Sequence, residues 1–227
     1  MIAFSHVYKT FRGEIHALRD VTFQINKGDF VFLTGHSGAG KTTLFNLLAG
    51  FDKPTSGQII VADYKLNDLR EESVPYFRRK VGVVFQDFKL LHNRTIFENM
   101  SLPLEIIGTH SLVIQEKCQQ MLSSLGIYDK AHQYPDELSG GEKQRVAIGR
   151  ALISQPEVII ADEPTGNLDP QLSREVMNVF HKFNSLGTTV FIATHDMNLV
   201  SESKKRVIHL KNGELAKEAG TENEASV

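Results

Sequence analysis

One eight-residue segment, GHSGAGKT at residues 35–42, constrains the possible folds of this chain most strongly. An apolar run at residues 30–34 precedes it and a helical pattern over residues 42–49 follows it, so a buried strand, a loop and a helix are predicted in that order. In this setting the spacing GxxxxGK[ST] predicts a loop whose backbone N–H groups bind a phosphate chain. We expect Lys41 to reach the β and γ phosphates and the Thr42 hydroxyl to ligate Mg²⁺. The alternative, an ordinary glycine-rich turn, is disfavoured by Lys41, Thr42 and the flanking elements.

Two adjacent carboxylates, Asp162 and Glu163, end the apolar run at residues 158–161. A hydrophobic strand has no structural reason to finish with adjacent acids, because unpaired carboxylates are costly to bury. Beside a phosphate loop, Asp162 is expected to hold Mg²⁺ through water, and Glu163 to polarise the water that attacks the γ phosphate. In isolation, the pair could also be a solvated strand end that caps the next turn.

Apolar periodicity predicts an α/β fold with an N-terminal antiparallel β subdomain and an inserted helical lobe, and the GxxxxGK[ST] motif makes its core one of the phosphate-loop NTPase type. Val21, Phe23 and Ile25 alternate with polar residues, as in a half-buried antiparallel strand. Compact apolar runs indicate further strands of a buried parallel sheet, at residues 81–85, 158–161 and 189–193.

Helical patterns fill residues 88–154, where Ser111 can cap a helix that runs to Gly126 and a second helix follows Ser139. The chain is therefore expected to have three parts: a nucleotide-binding core with the β subdomain, a helical lobe that carries the segment LSGGE at residues 138–142, and a disordered tail. Their bounds are residues 1–87 with 155–217, residues 88–154, and residues 218–227.

Two further elements follow from local signals near the C-terminus. Asp169 and Pro170 form a cap and first-turn pair for a helix that Gly187 should end. Asn212-Gly213 between two apolar stretches predicts a hairpin. The last predicted element is therefore a pair of antiparallel strands.

The composition favours a globular protein that remains in the cytoplasm. Its 227 residues, of which 41% are hydrophobic, can bury a substantial core. No stretch approaches the ~18–20 uninterrupted apolar residues that a membrane span requires, and the N-terminal residues lack the layout of a signal peptide. A formal net charge of -2 gives no general attraction to nucleic acid. Cys118 falls in an apolar series at helical spacing, which predicts a buried core residue.

The segment LSGGE at residues 138–142 resembles the LSGGQ signature that separates ABC ATPases from other phosphate-loop enzymes. Ser139 and the amides of Gly140 and Gly141, at a helix start, can form a second phosphate-binding surface on the helical lobe. The resemblance implies that this surface closes over ATP held by a second copy, so that two ATP molecules are sandwiched in a two-fold homodimer. Taken alone, a Ser-Gly-Gly helix cap is the simpler interpretation. Glu142 stands where the family often has Gln.

The remaining landmarks of the family occur in the expected order, so the resemblance covers nearly the whole chain. It implies that Gln86 senses Mg²⁺ and the attacking water, and that His195 bonds the γ phosphate. It also implies that Asp169, in the segment Asn167-Leu168-Asp169, contacts the opposite subunit. Phe11 stands where the family usually has an aromatic residue that stacks on adenine, although a simple core position is the alternative.

Motifs and resemblance together assign three overlapping sets of residues. The set expected to bind ATP is Phe11, Gly35, His36, Ser37, Gly38, Ala39, Gly40, Lys41, Thr42, Thr43, Gln86, Ser139, Gly140, Gly141, Asp162 and Asp169. The set expected to bind Mg²⁺ is Thr42, Gln86 and Asp162. The set expected to act in hydrolysis to ADP and phosphate is Glu163, His195, Gln86 and Lys41.

Three stretches resemble the cell-division ATPases of the family more specifically: TGHSGAGKTT, FQDFKLLHNRTIFENMSLPL and ADEPTGNLD. His36 is telling, because lipoprotein-release and macrolide-efflux relatives commonly have Pro at this position. The resemblance implies an integral membrane partner of the FtsX type and control of peptidoglycan hydrolases during division, from the inner face of the bacterial plasma membrane. An ATPase of a lipoprotein-release or macrolide-efflux transporter would have the same catalytic residues and remains an alternative. A soluble ABC ATPase acting on nucleic acid is a remote one, because the chain has a single cassette and no coiled-coil or zinc insert.

The resemblance also implies a groove for the membrane partner where core and lobe meet, near residues 86–91 and 95–102. Its large apolar residues are Phe88, Leu90, Leu91 and Phe97. An apolar docking patch and ordinary core are equally compatible with these four residues.

Overall fold

The strands form two separate sheets, one mainly parallel and one antiparallel, with helices packed around them. A computed structural model describes residues 1–166 and 168–216. The strands are β1 Ile2–Phe11, β2 Ile15–Ile25, β3 Phe30–Thr34, β4 Ser56–Val61, β5 Tyr64–Lys65, β6 Val81–Val84, β7 Val158–Asp162, β8 Thr189–Ala193, β9 Arg206–Lys211 and β10 Glu214–Leu215. The α-helices are α1 Lys41–Leu48, α2 Val74–Lys80, α3 Ile96–Ile106, α4 Ser111–Ser124, α5 Gly140–Leu152, α6 Pro170–Ser185 and α7 Met197–Ser203.

The larger sheet has the strand order β10-β9-β3-β8-β7-β6, and all its strand pairs are parallel except β9 with β10. Its central strands are buried on both faces, which is why they occur in the sequence as continuous apolar runs. The carboxyl ends of β3, β6, β7 and β8 lie at one edge of the sheet, where parallel α/β folds bind ligands. The phosphate loop and three predicted catalytic residues follow these strands directly.

The smaller sheet is antiparallel and has the order β2-β1-β4-β5. Val21, Phe23 and Ile25 are buried, whereas the residues between them are exposed, so the predicted half-buried strand is confirmed. The rings of Phe4 and Phe23 are stacked with their centroids 4.7 Å apart. This sheet therefore packs against the same core as one face of the larger sheet.

Helices α3, α4 and α5 share a hydrophobic cluster with residues drawn almost entirely from 88–153. Cys118 is fully buried in it, as predicted, and burial raises the pKa of its thiol to about 11. Ile148 and Leu152, on another part of α5, instead pack in the cluster beneath the larger sheet. α5 therefore joins the helical region to the core.

The predicted ends of several elements need correction. The side chain of His110, and not that of Ser111, caps α4, where its Nδ1 accepts a hydrogen bond from the amide of Leu112. This helix ends at Ser124, and Gly126 lies beyond it with φ 65°. Residues 88–95 are not helical, because the polypeptide crosses there from β6 to α3. Helices α2 and α7 and strands β1 and β4 were not predicted.

The later predictions agree with the structure. Asp169 caps α6 with Pro170 in its first turn, and Gly187 follows the end of the helix with φ 97°. Asn212 and Gly213 connect β9 to β10 with φ 51° and 80°, as the predicted hairpin requires. The predicted tail and Asn167 lie outside the described residues. Among the residues described, no helix has the length and apolar character needed to cross a membrane.

Candidate nucleotide-binding site

The predicted phosphate loop connects β3 to α1 and surrounds the side chain of Lys41. Gly38 and Gly40 have φ 77° and 106°, which lets the loop turn before Gly40 precedes the first residue of α1. Lys41 is buried, and its Nζ donates hydrogen bonds to the carbonyl oxygens of Gly35 at 2.8 Å and His36 at 3.3 Å. The ammonium group is therefore held inside the curve of the loop, where a phosphate chain would lie.

Two oxygen donors converge beside the loop. The Thr42 hydroxyl donates a hydrogen bond to Oδ2 of Asp162 over 3.2 Å. Burial raises the pKa of Asp162 and the negative charge of Glu163 adds to this, whereas the hydrogen bond from Thr42 and the charge of Lys41 lower it. A hydroxyl and a half-buried carboxylate in contact fit the preference of Mg²⁺ for hard oxygen ligands.

Glu163 is directed differently from Asp162 because its backbone leaves the strand. Its φ is 49°, a conformation uncommon for residues with a side chain, and its amide still donates to the carbonyl oxygen of Ala193 at 3.0 Å. Its Oε2 lies 2.6 Å from Nδ1 of His195, and its Oε1 lies 3.8 Å from Nζ of Lys41. The residues predicted to act in hydrolysis on β7 and β8 are therefore brought together with the loop lysine.

Gln86 is exposed and lies on the wall of a groove of about 350 Å³ that also contains Thr42 and Asp162. Its apolar wall is formed by aromatic and aliphatic residues that include Phe45, Phe51 and Phe85. Of the two segments predicted to form the docking groove, residues 86, 87 and 89 line it together with residues of α1, whereas residues 95–102 do not. Four apolar residues were predicted to form either a docking patch or ordinary core. Leu90 is buried, Leu91 is exposed, and Phe88 and Phe97 are half-buried.

The signature residues lie at the start of α5. Ser139 caps the helix in a reciprocal arrangement with Glu142, whose Oε2 accepts hydrogen bonds from the Ser139 amide at 2.8 Å and hydroxyl at 2.7 Å. These hydrogen bonds lower the pKa of Glu142. A Cβ on Gly140 would meet nothing within 4 Å, whereas one on Gly141 would lie 2.6 Å from Cδ2 of Leu172. A side chain at Gly141 would therefore displace Leu172, whereas the surface above Gly140 is open.

The other predicted nucleotide contacts occupy separate positions. Phe11 is 44% exposed at the end of β1, which excludes the core alternative, and Nζ of Lys9 lies 4.9 Å from the centre of its ring. Asp169 accepts hydrogen bonds from the amides of Gln171 and Leu172, so its carboxylate has a role in its own chain as a helix cap. Thr43 is half-buried in α1.

The sequence analysis missed one part of the site, the turn between β9 and β10. His36 of the loop contacts the carbonyl oxygen of Ser37 through Nδ1 at 2.6 Å and the side chain of Asn212 through Nε2 at 3.1 Å. The Gly213 amide donates to the carbonyl oxygen of Ala39 at 3.0 Å. The contacts of His36 with Asn212 and of Gly213 with Ala39 join residues more than 170 positions apart, so no local signal could have revealed them.

Comparisons with known proteins match the same features. Residues 18–166 match the family model described as ABC transporter. The cell division ATP-binding protein FtsE of Escherichia coli is 45% identical over 215 residues, covering 95% of this chain and 97% of the relative. The FtsE proteins of Bacillus subtilis and Mycobacterium tuberculosis are also 45% identical, over 218 and 219 residues. They cover 96% of this chain, and the matches span 96% and 95% of those relatives.

Solved structures have the same fold. The ATP-binding cassette MJ0796, in a dimeric post-hydrolysis state bound to ADP and Pi, has a TM-score of 0.90 and 37% identity, with 96% of this chain and 97% of that chain covered. The structure of CbiO1 from Clostridium perfringens, part of the ABC transporter complex CbiONQ, has a TM-score of 0.84 and 29% identity, with 95% and 86% covered. The similarity therefore extends over both sheets and the helical region.

Proposed function

The chain belongs to the ABC transporter family as an ATPase subunit similar to FtsE, and from this premise we propose that it acts with a membrane partner of the FtsX type in bacterial cell division. In this role it controls peptidoglycan hydrolysis from the inner face of the plasma membrane, at the division site. The observation that carries the proposal is 45% identity over nearly the whole length of the FtsE proteins of three bacteria.

In the proposed mechanism the triphosphate of ATP lies along the phosphate loop. The amides of the loop and the start of α1 bind its phosphate oxygens, and Lys41 exchanges its contacts with Gly35 and His36 for the β and γ phosphates. Thr42 and Asp162 would hold Mg²⁺, which supplies positive charge against the phosphate oxygens. Phe11 is exposed at the C-terminal end of β1, and its ring face could stack on adenine.

Hydrolysis is assigned to Glu163 and the residues around it. Glu163 accepts a proton from the attacking water, and His195, 2.6 Å away, orients the carboxylate before its ring turns to the γ phosphate. Gln86 lies on the same groove as Thr42 and Asp162, which supports its proposed contact with the metal and the water. In this scheme the two neighbouring acids have separate roles, because one side chain contacts Thr42 and the other contacts His195.

We also propose that two copies enclose two ATP molecules, each between the phosphate loop of one copy and Ser139, Gly140 and Gly141 of the other. The open surface above Gly140 supports this arrangement. Asp169 would contact the opposite subunit while it caps α6. The helical lobe, proposed to comprise residues 88–154, would carry the signature toward the partner's ATP.

The groove beside Gln86 is proposed to receive the membrane partner. Phe51 is 48% exposed in it and stacks on Phe85, with the ring centroids 5.6 Å apart. Leu91 and the half-buried Phe88 and Phe97 would extend this apolar surface toward α3. A segment of the membrane protein docked here would contact Gln86 directly, so that docking and hydrolysis are coupled.

A transporter ATPase is the second candidate. It is favoured by the 38% identity to MJ0796, described as a bacterial ABC transporter cassette. Such a protein would have the same catalytic residues, because these bind ATP and not the transported substrate. Only the membrane partner distinguishes the two functions.

Co-purification from membranes tests the choice between the two candidates. We expect the tagged chain to retain FtsX from the same host, and not the host's lipoprotein-release permease. Phe51→Asp should abolish this retention with basal ATPase activity preserved, because it places a charge in the apolar groove. Leu186→Asp is the matched control, since Leu186 is an exposed apolar residue at the end of α6. Retention of the permease in place of FtsX would support the transporter function instead.

A further inference from the structure

The polypeptide just after Gln86 has an unfavourable backbone conformation. Phe88 and Lys89 have φ 61° and 49°, so two consecutive residues with side chains occupy the left-handed region. This region is sterically costly for such residues and is populated mainly where surrounding contacts enforce it. Some part of the structure must therefore hold this turn.

Arg150 of α5 makes the contacts that can hold it. Its Nη1 donates to the carbonyl oxygen of Lys89 at 2.7 Å, and its Nη2 donates to that of Phe88 at 2.8 Å. A planar guanidinium group can bond two neighbouring oxygens in this way, whereas an ammonium group cannot do so with the same geometry. The fork of Arg150 therefore matches the two carbonyl groups of the strained residues.

The charged guanidinium group of Arg150 is largely removed from solvent. Burial lowers the pKa of its guanidinium group, so its charge is held at an energetic cost. Within residues 1–166 and 168–216, no carboxylate lies within 4 Å of this group to compensate. Within the described part of the chain, the guanidinium group of Arg150 donates its hydrogen bonds to these two carbonyl oxygens.

α5 also contacts β6, the strand that precedes Gln86. Gly82 of β6 packs so closely on the carbonyl oxygen of Ala151 that a Cβ would overlap that oxygen. The strand before Gln86 and the turn after it are therefore both fixed to the last turns of α5. The same helix begins immediately after Ser139 of the signature.

We propose that Arg150 is a positioning residue for Gln86, which it holds in a fixed relation to the signature helix through the strained turn at Phe88 and Lys89. The inference rests on the proposed role of Gln86 in hydrolysis. Because α5 begins directly after Ser139 and also packs against the core through Ile148 and Leu152, this contact sets the position of Gln86 relative to both the signature and the core.

Steady-state phosphate release by the full chain tests this role. Arg150→Met should lower kcat by roughly 10- to 100-fold, since misplacement of a catalytic group by about 1 Å can have such an effect. KM for ATP should stay within about twofold, because the phosphate loop is unchanged. Arg150→Lys keeps the charge but loses the fork, and should recover only part of kcat. Arg206→Met is the control, because it removes a guanidinium-to-carbonyl bond of 2.6 Å in β9 and should leave kcat unchanged.

A glycine substitution separates positioning from simple stabilisation. Lys89→Gly removes the steric cost of φ 49°, so in the Arg150→Met background it should restore much of kcat. Lys204→Gly relieves a similar φ of 51° at the end of α7 and should restore none. The inference is overturned if Arg150→Met keeps a normal kcat, or if Lys89→Gly restores no more than Lys204→Gly does.

Gln86→Ala, measured in parallel, identifies which proposal has failed. A normal kcat for Gln86→Ala would remove the role of Gln86 in hydrolysis itself. A low kcat for Gln86→Ala with a normal kcat for Arg150→Met would reject only the role of Arg150.

Discussion

Two adjacent carboxylates at the end of β7 have different environments, because side chains alternate along a strand and the backbone also changes direction at Glu163. Asp162 completes the strand and contacts Thr42, whereas Glu163 has φ 49° and contacts His195. Since side chains alternate along a strand, adjacent acids would point to opposite faces even without this turn. The turn also brings Glu163 over the carboxyl end of β8, within reach of His195.

Asp162→Asn should stabilise the protein without ligands at neutral pH and weaken its response to Mg-ATP. Burial, with help from the charge of Glu163, raises the pKa of Asp162, so the native state binds this proton more tightly than the unfolded chain. The stability of the free protein therefore falls as the pH rises through the raised pKa. Asparagine carries no charge, so it removes this loss, while it also removes a proposed ligand of Mg²⁺.

Thermal melts across pH measure both effects. The melting temperature of Asp162→Asn at pH 7 should exceed that of the wild type by roughly 2–4 °C for each kcal/mol of stability that is gained when the buried charge is removed. The difference should shrink as the pH falls through the raised pKa of Asp162, because the wild-type carboxyl then becomes protonated as well. Addition of Mg-ATP should raise the melting temperature less in the variant. A lower melting temperature at pH 7 would show that the contact with Thr42 outweighs the burial of charge.

At the scale of elements, the sequence analysis predicted those that depend on local pattern. The buried strands β3, β7 and β8 were predicted within one residue, because continuous apolar runs bounded by polar residues have few other interpretations. Helices α2 and α7 were missed, since each has only seven residues and therefore shows no clear periodicity. The parallel order of the larger sheet depends on contacts between distant residues, which the pattern of one sequence does not contain.

The same limit applies to the site. The loop, the acids and the signature have fixed spacing along the chain and were therefore predictable as motifs. The contacts of Arg150 with Phe88 and Lys89, and of His36 with Asn212, bring together residues that no motif connects. The hairpin turn was predicted for its shape, but its place against the phosphate loop depends on the tertiary structure.

Gly213→Ala should weaken nucleotide binding because this turn supports the phosphate loop. Its φ is 80°, and a Cβ would lie 2.8 Å from the carbonyl oxygen of Ala17, so the turn must shift and disturb the hydrogen bond from the Gly213 amide to Ala39. Gly187→Ala is the matched control, with φ 97° and no atom within 4 Å of the added Cβ. Each variant should lose roughly 1–2 kcal/mol of stability from backbone strain.

Calorimetric titration with ATP distinguishes the two glycines. Gly213→Ala should raise Kd about tenfold, which corresponds to about 1.4 kcal/mol, while Gly187→Ala leaves it unchanged. Equal affinities in the two variants would mean that the hairpin does not shape the loop.

At the scale of the whole molecule, the proposed dimer gives a function to the surface formed by Ser139, Gly140 and Gly141. In the dimer this surface would bind the ATP held by a second copy. Glu142 accepts two hydrogen bonds from Ser139 and thereby fixes the cap at the start of α5. The phosphate chain of ATP bound to a second copy would contact the open side of Gly140 and the amides at the start of this helix. Association would then depend on ATP and would end when hydrolysis removes the γ phosphate.

Glu163→Gln combined with Ser139→Arg tests this dependence. Glu163→Gln keeps Lys41, Thr42 and Asp162, so ATP should still bind while hydrolysis falls by the ~10²- to 10⁴-fold that general-base catalysis contributes. Dimers formed with Mg-ATP should then persist, since the ligand that joins the copies is not consumed.

Ser139→Arg in the Glu163→Gln background should prevent these dimers, because its long side chain fills the surface that the partner's ATP would occupy. The control is Ser111→Arg, since Ser111 is also exposed and lies in the first turn of a lobe helix, α4. Size-exclusion chromatography with light scattering, at high protein concentration and with or without Mg-ATP, measures the outcome alongside phosphate release. We expect dimers for Glu163→Gln alone and with Ser111→Arg, and monomers with Ser139→Arg. Dimers that survive Ser139→Arg would exclude the sandwich, and a normal rate of phosphate release by Glu163→Gln would exclude the proposed base.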